Sequence, residues 1–175
     1  MVVVCCLSFL TLAGCEKAGV EGKNATVQSV RFPAVMVGRW EVKSAKPTWA
    51  FDIKPDGSIL EMYHIMVGEV NFTEGEAHIE KNNPRVSTEF FLAPCEAKYD
   101  PATGEVSIEV VMDYYKIQSR GAVVEGGRTD IFKGPVSKDG RTWNAGLLMS
   151  LRFEGKKPIE SRKPRPIVFT RVDAQ

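Results

Sequence analysis

The chain has 175 residues, 43% hydrophobic and 26% charged, with a formal net charge of +1. Such a composition suits one globular domain with a real core. A charge this close to zero makes no general case for nucleic-acid binding, and two histidines far apart in the chain make no zinc signature.

Residues 1–14 form an uncharged, largely apolar run that closes on Leu12-Ala13-Gly14 before Cys15. The run is short of the roughly 20 apolar residues a membrane-spanning helix needs. It suits the apolar core of an export signal, with small residues at the cut and only the α-amino group supplying charge. Leu-Ala-Gly-Cys resembles the lipobox of bacterial lipoproteins. The resemblance implies lipidation of the Cys15 thiol, cleavage before it, and a domain tethered to a membrane of the cell envelope, on the periplasmic side. Cys5 and Cys6 then leave with the signal, and Cys95 remains as a lone thiol with no internal partner. A single cysteine of this kind most often serves as a small buried hydrophobe. Residues 15–33 are mostly small and polar, without periodicity, as a tether requires.

Residues 34–173 read as one all-β domain. Strict alternation marks Val37–Lys43 and Thr48–Lys54, the latter ending in the turn Pro55-Asp56-Gly57. Ser58–Val70 reads as one long strand with apolar residues on both faces. Ala77–Lys81 and Val86–Leu92 follow, with a break at Pro94. Cys95–Tyr99 leads into the hairpin loop Asp100–Gly104. Along Glu105–Tyr115, Val106, Ile108, Val110, Met112 and Tyr114 share a face. Gly126-Gly127 breaks the chain before Arg128–Lys133, and Lys138-Asp139-Gly140 is a further hairpin signal. Trp143, Ala145, Leu147, Met149, Leu151 and Phe153 form the longest alternating face. A loop rich in Lys, Arg and Pro spans residues 154–166, and Ile167–Val172 is the last strand.

Eight or nine strands on short turns in about 140 residues predict an antiparallel up-and-down β-barrel of about eight strands, with a β-sandwich as the alternative. Gly38-Arg39-Trp40 on the first strand resembles the Gly-x-Trp signature of the lipocalin and calycin families. Phe169-Thr170-Arg171 on the last is similar to their closing element. The resemblance implies that Trp40 plugs one end of the barrel with the Arg171 guanidinium on its face, Gly38 allowing the close approach. It also implies a small hydrophobic ligand in the lumen. Candidate lining residues are Phe51, Met62, Tyr63, Met66, Val110, Met112, Leu147, Met149 and Leu151, the methionines being adaptable to irregular apolar shapes. The same side chains equally suit a filled core, which makes the domain a structural or protein-interaction module of the envelope.

Met62, His64 and Met66 are a weak candidate for Cu(I), because thioethers and an imidazole suit that ion. No cofactor is implied elsewhere. His78 lies among charges and reads as solvated. There is no Gly-x-Ser-x-Gly elbow, and Gly121–Arg128 lacks the Gly-Lys-Ser/Thr of a phosphate loop. Asp52, Asp113 and Asp130 read as residues of polar strand faces, so the chain is not expected to be an enzyme. Arg152, Lys156, Lys157, Arg162, Lys163 and Arg165 bias the 152–165 loop toward positive charge, which suits an anionic surface such as lipid headgroups or an acidic partner.

Overall fold

The computed structural model describes residues 32–43 and 48–172; the lipobox with Cys15, and the tether up to residue 31, lie outside them. A short 3-10 helix, Ala34–Met36, precedes β1 (Gly38–Val42), β2 (Trp49–Ile53), β3 (Ser58–His64), β4 (Gly68–Asn71), β5 (Ala77–Asn82) and β6 (Val86–Leu92). After them come β7 (Cys95–Asp100), β8 (Glu105–Ser119), β9 (Ala122–Pro135), β10 (Thr142–Phe153), β11 (Ile159–Glu160) and β12 (Arg165–Val172). Eight of these strands close into an antiparallel up-and-down barrel in the order β1-β2-β3-β7-β8-β9-β10-β12, with β12 returning to β1. Closure leaves the barrel circuit without an unpaired edge. The β-barrel, rather than the sandwich, is therefore the fold. Among the described residues, no helix is long and apolar enough to cross a membrane.

Alternation is the physical reason for these strands. Trp49, Phe51 and Ile53 on β2 are buried, as are Trp143, Ala145 and Leu147 on β10. Residues that alternate along these strands turn one apolar face to the lumen.

Four expectations change. Ser58–Val70 is a hairpin rather than one strand: β3 turns at Ile65–Val67 into β4, and Glu61 lies opposite Asn71. The second apolar face seen in the sequence belongs to this second strand. The chain does not break at Gly126-Gly127 either. The turn is at Arg120-Gly121, where both residues have positive φ, as a two-residue hairpin connection demands. Gly126 lies within β9 because a Cβ there would overlap the Arg152 carbonyl oxygen of β10. Along β8 the register shifts between Met112 and Tyr115. That bulge turns Tyr115 inward and leaves Tyr114 outside, reversing the expected face. Finally, the 154–166 loop carries β11, held on β10 by pairing at Ser150 and Leu151 and by a 2.8 Å bond from the Ser161 N–H to the Met149 carbonyl.

The strand breaks at Ala93-Pro94, as expected, but the chain resumes along the same neighbour. β6 and β7 both run antiparallel to β8, and the Ala93 N–H donates to the Val111 carbonyl between them (3.0 Å). β3 meets β7 only at Ser58 and Ile59. Beyond that point the wall divides. The β3–β4 hairpin goes one way, β5 pairs with β6 the other way, and the Lys81 ammonium donates to the Val67 carbonyl across the seam. The seam places the β3–β4 turn beside the far half of the barrel.

Candidate functional site

The lumen holds a column of side chains that runs most of the barrel's length. At the end where the described chain begins, Met36 is fully buried and the Trp40 indole N–H donates to its carbonyl (2.8 Å). Arg171 stands opposite Trp40 in the β1–β12 register. Its guanidinium donates to the Val37 carbonyl at 2.9 Å and the Val35 carbonyl at 3.4 Å. Gly38 has φ +116° and its Cβ position lies 3.7 Å from the Arg171 Nε. The guanidinium thus ties the segment around the 3-10 helix across the barrel end by hydrogen bonds to its carbonyls, beside Gly38.

Aromatic rings follow inward. Trp143 stacks on Phe169 at 4.8 Å, and Phe169 meets Phe51 and Phe132 at 5.5 Å each. Phe132 meets Trp49 edge-on at 4.8 Å, and Trp49 meets the His64 ring at 4.5 Å. Offset and edge-to-face geometries at these separations are the favourable ones for rings.

The column ends in a polar cluster. Phe132, Asp130 and Arg128 alternate along β9 and so share its inner face. Asp130 is fully buried, and the Arg128 side chain is 12% exposed. The guanidinium grips the carboxylate through two bonds, Nε to Oδ2 at 2.5 Å and Nη2 to Oδ1 at 2.8 Å. Nη1 donates to the Met66 sulfur at 3.1 Å. His64 is fully buried beside them; its Nδ1 accepts from the Met66 N–H (3.1 Å). Nδ1 is thus the acceptor nitrogen and a neutral ring carries its proton on Nε2. Nε2 points at Asp130 Oδ2 from 3.8 Å, too far for a hydrogen bond, and has no hydrogen-bond partner among the described residues.

Burial dominates His64 and pushes its pKa down, with the Arg128 charge adding to the effect against the pull of Asp130. Burial alone pushes the Asp130 carboxyl up, but His64 and Arg128 outweigh it and hold it below its ordinary value. The cluster is therefore a carboxylate–guanidinium pair beside a neutral imidazole.

The candidate lining residues divide accordingly. Phe51, Met62, Val110, Met112 and Leu147 are buried in the core. Met149 and Leu151, opposite Asp130 and Arg128 in the β9–β10 register, are only half-buried, as is Met66. Tyr63 alternates with buried Met62 and His64 and faces away from the lumen. The copper candidate does not assemble. β3 ends at His64, Met66 lies in the turn, and both its sulfur and the His64 Nδ1 are engaged, the former by a cation. Arg128 and Asp130 form a buried charged pair that sequence reasoning did not single out. The signal was there: Phe132 is inward, so residues two and four before it are too.

Cys95 is buried, and desolvation pushes its thiol up to about 12. The basic residues of the 152–165 loop are all exposed. They lie at the end of β12 opposite the chain entry, since Arg165 pairs with Leu147 while Val172 pairs with Arg39. Grooves of about 480 Å³ beside Pro94 and Glu96, and about 580 Å³ beside Val123 and Glu154, lie on the outer surface. The fold and site define a closed, eight-stranded antiparallel barrel with a packed aromatic lumen and a buried ionic cap. No protein-family model, curated protein or solved structure matches the chain.

Proposed function

We propose that the chain is a non-enzymatic envelope lipoprotein, anchored through Cys15, whose barrel is filled and meets its partners through its outer face. The observation that supports this reading is the column from Trp143 to Met66, which occupies the lumen where a lipocalin-like carrier holds its ligand. A ligand there would have to displace packed rings or separate Asp130 from Arg128, and either step is costly. The Leu12–Cys15 motif supports the anchor, and the tether of residues 15–33 leads to the barrel end that the 3-10 helix closes. Exposed Ile131 and Leu148, paired across β9 and β10, and exposed Val168 supply apolar contact on the outer wall.

Two measurements test the two halves of this reading. Growth of a bacterial host with an alkyne fatty acid should label the wild type and not Cys15→Ala; equal labelling of both removes the anchor. A panel of fluorescent apolar probes should show no saturable uptake by the purified protein. One-to-one binding, blocked by Leu147→Trp, would replace the filled-barrel reading with that of a carrier.

A further inference from the structure

On the outer face of the β5–β6 hairpin, three side chains converge. The His78 Nε2 lies 3.2 Å from Glu89 Oε1 and 3.4 Å from Glu80 Oε1. The three potential ligand atoms all lie within 4.8 Å of one another. We propose that His78, Glu80 and Glu89 form a binding site for a divalent transition cation of the zinc type.

The spacing is set by the sheet. His78 and Glu80 are two residues apart on β5 and share a face, and Glu80 stands directly opposite Glu89 on β6. The imidazole is held in place. Phe91, opposite His78, stacks on it with ring centroids 4.2 Å apart and planes 11° from parallel. Phe91 in turn packs against Tyr114 on β8, its register partner, at 6.0 Å. The stack fixes the plane of the ring, and the ring turns Nε2 toward both carboxylates.

Distance and charge both point to a cation. Zinc bonds of 2.0–2.2 Å to imidazole nitrogen and carboxylate oxygen give a tetrahedron with edges of about 3.4 Å. Two of the three separations, 3.2 and 3.4 Å, match that edge, the shorter being a His78–Glu89 hydrogen bond that an ion would replace, and the third lies within 4.8 Å. Two carboxylates directly opposite each other on neighbouring strands repel, and the sequence tolerates this pair at Glu80 and Glu89. The nearest lysine on the same face, Lys116 opposite Glu89, is engaged by Glu125 at 2.9 Å. A divalent ion would neutralise the carboxylates that Lys116 does not. The imidazole favours zinc, copper or nickel over magnesium and calcium, which take oxygen donors. Three protein ligands leave one tetrahedral position facing outward, open to water or to a donor from a docking partner. This site is separate from the Met62, His64 and Met66 trio and lies outside the barrel wall.

Zinc chloride titrated calorimetrically into the purified full chain tests the site. The wild type should take up one zinc ion more than His78→Ala. Glu89→Gln should bind that ion about tenfold or more weakly, as expected when one of three ligands is lost. Zinc held by the cysteines is common to all variants and cancels in the comparison. The three residues are on the surface, so the variants should keep the wild-type circular dichroism. A second readout locates the ion: manganese should broaden the Phe91 and His78 ring resonances before those of Trp143. Equal stoichiometry and affinity in wild type and His78→Ala, or no zinc uptake by the wild type at about 1 mM, would overturn the proposal.

Discussion

Asp130→Asn tests the ionic cap most directly. The carboxylate offers two oxygens to Arg128, at 2.5 and 2.8 Å, in a place where Asp130 is wholly shielded from water. The amide keeps the shape but offers one acceptor oxygen and turns an NH2 toward the other donor. One charge-assisted bond is lost, at about 1.5–3 kcal/mol. In addition a guanidinium that is only 12% exposed loses its counter-charge. Removing one partner of a buried pair costs about 3–5 kcal/mol in total. Against a domain stability of about 5–15 kcal/mol this is a large fraction. With a urea slope of about 2 kcal/mol/M, the unfolding midpoint should fall by about 2 M at unchanged slope. The double variant Arg128→Met/Asp130→Leu supplies the opposite arm. Removing both charges together leaves no unpaired ion, so it should be neutral or more stable than the wild type, by up to about 4 kcal/mol. A midpoint shift under about 0.5 M for Asp130→Asn, or a double variant as unstable as the single one, would refute the reasoning.

Acid should loosen the fold in two stages. The lowered pKa of His64 means its contribution is complete above 6.5 and lost as pH falls below it; that of Asp130, also lowered, is lost as pH falls from 3.8 through its folded value. Urea midpoints measured from pH 8 to 3 should fall on the acid side only, and His64→Phe should abolish the upper stage. Phe132→Ala, which empties the centre of the aromatic column, should cost about 3–5 kcal/mol in the same assay. Arg171→Met removes the bonds to the Val35 and Val37 carbonyls and should cost about 1.5 kcal/mol, with hydrogen exchange quickening first at Trp40. Cys95, its thiol pushed up to about 12, should be inert to a thiol reagent at pH 8 until urea unfolds the chain.

Most of the barrel was legible because burial and alternation coincide. Trp49, Phe51 and Ile53, and Trp143, Ala145 and Leu147, face the lumen as their period requires. The resemblance to the lipocalin signature implied the pairing of Trp40 with Arg171, and the two stand opposite each other across the first and last strands of the circuit. Legibility failed where one residue of register matters. A one-residue shift in β8 between Met112 and Tyr115 exchanges Tyr114 for Tyr115, and no local composition announces it. The Gly126-Gly127 pair looked like punctuation, whereas it answers a carbonyl on another strand. Charge misled most at Asp130. Arg128 and Asp130 look like a solvent face beside Ile131, and only the inward Phe132 reverses the assignment. The ion pair that makes their burial tolerable is visible in space, not in sequence.

The β5–β6 hairpin stands apart from all of this. The eight-stranded circuit closes without it, since β6 pairs with the far half of β8 and β5 ends the sheet. A sheet end is a hazard for pairing with other chains, and His78, Glu80 and Lys81 on β5 are the charged kind of residue that discourages it. Repulsion alone would be served by charges of one sign at any spacing. The stacked imidazole, aimed at two carboxylates from 3.2 and 3.4 Å, is more ordered than edge protection needs. The hairpin is also free of the burden of closing the barrel, so its residues can change without cost to the eight-stranded circuit.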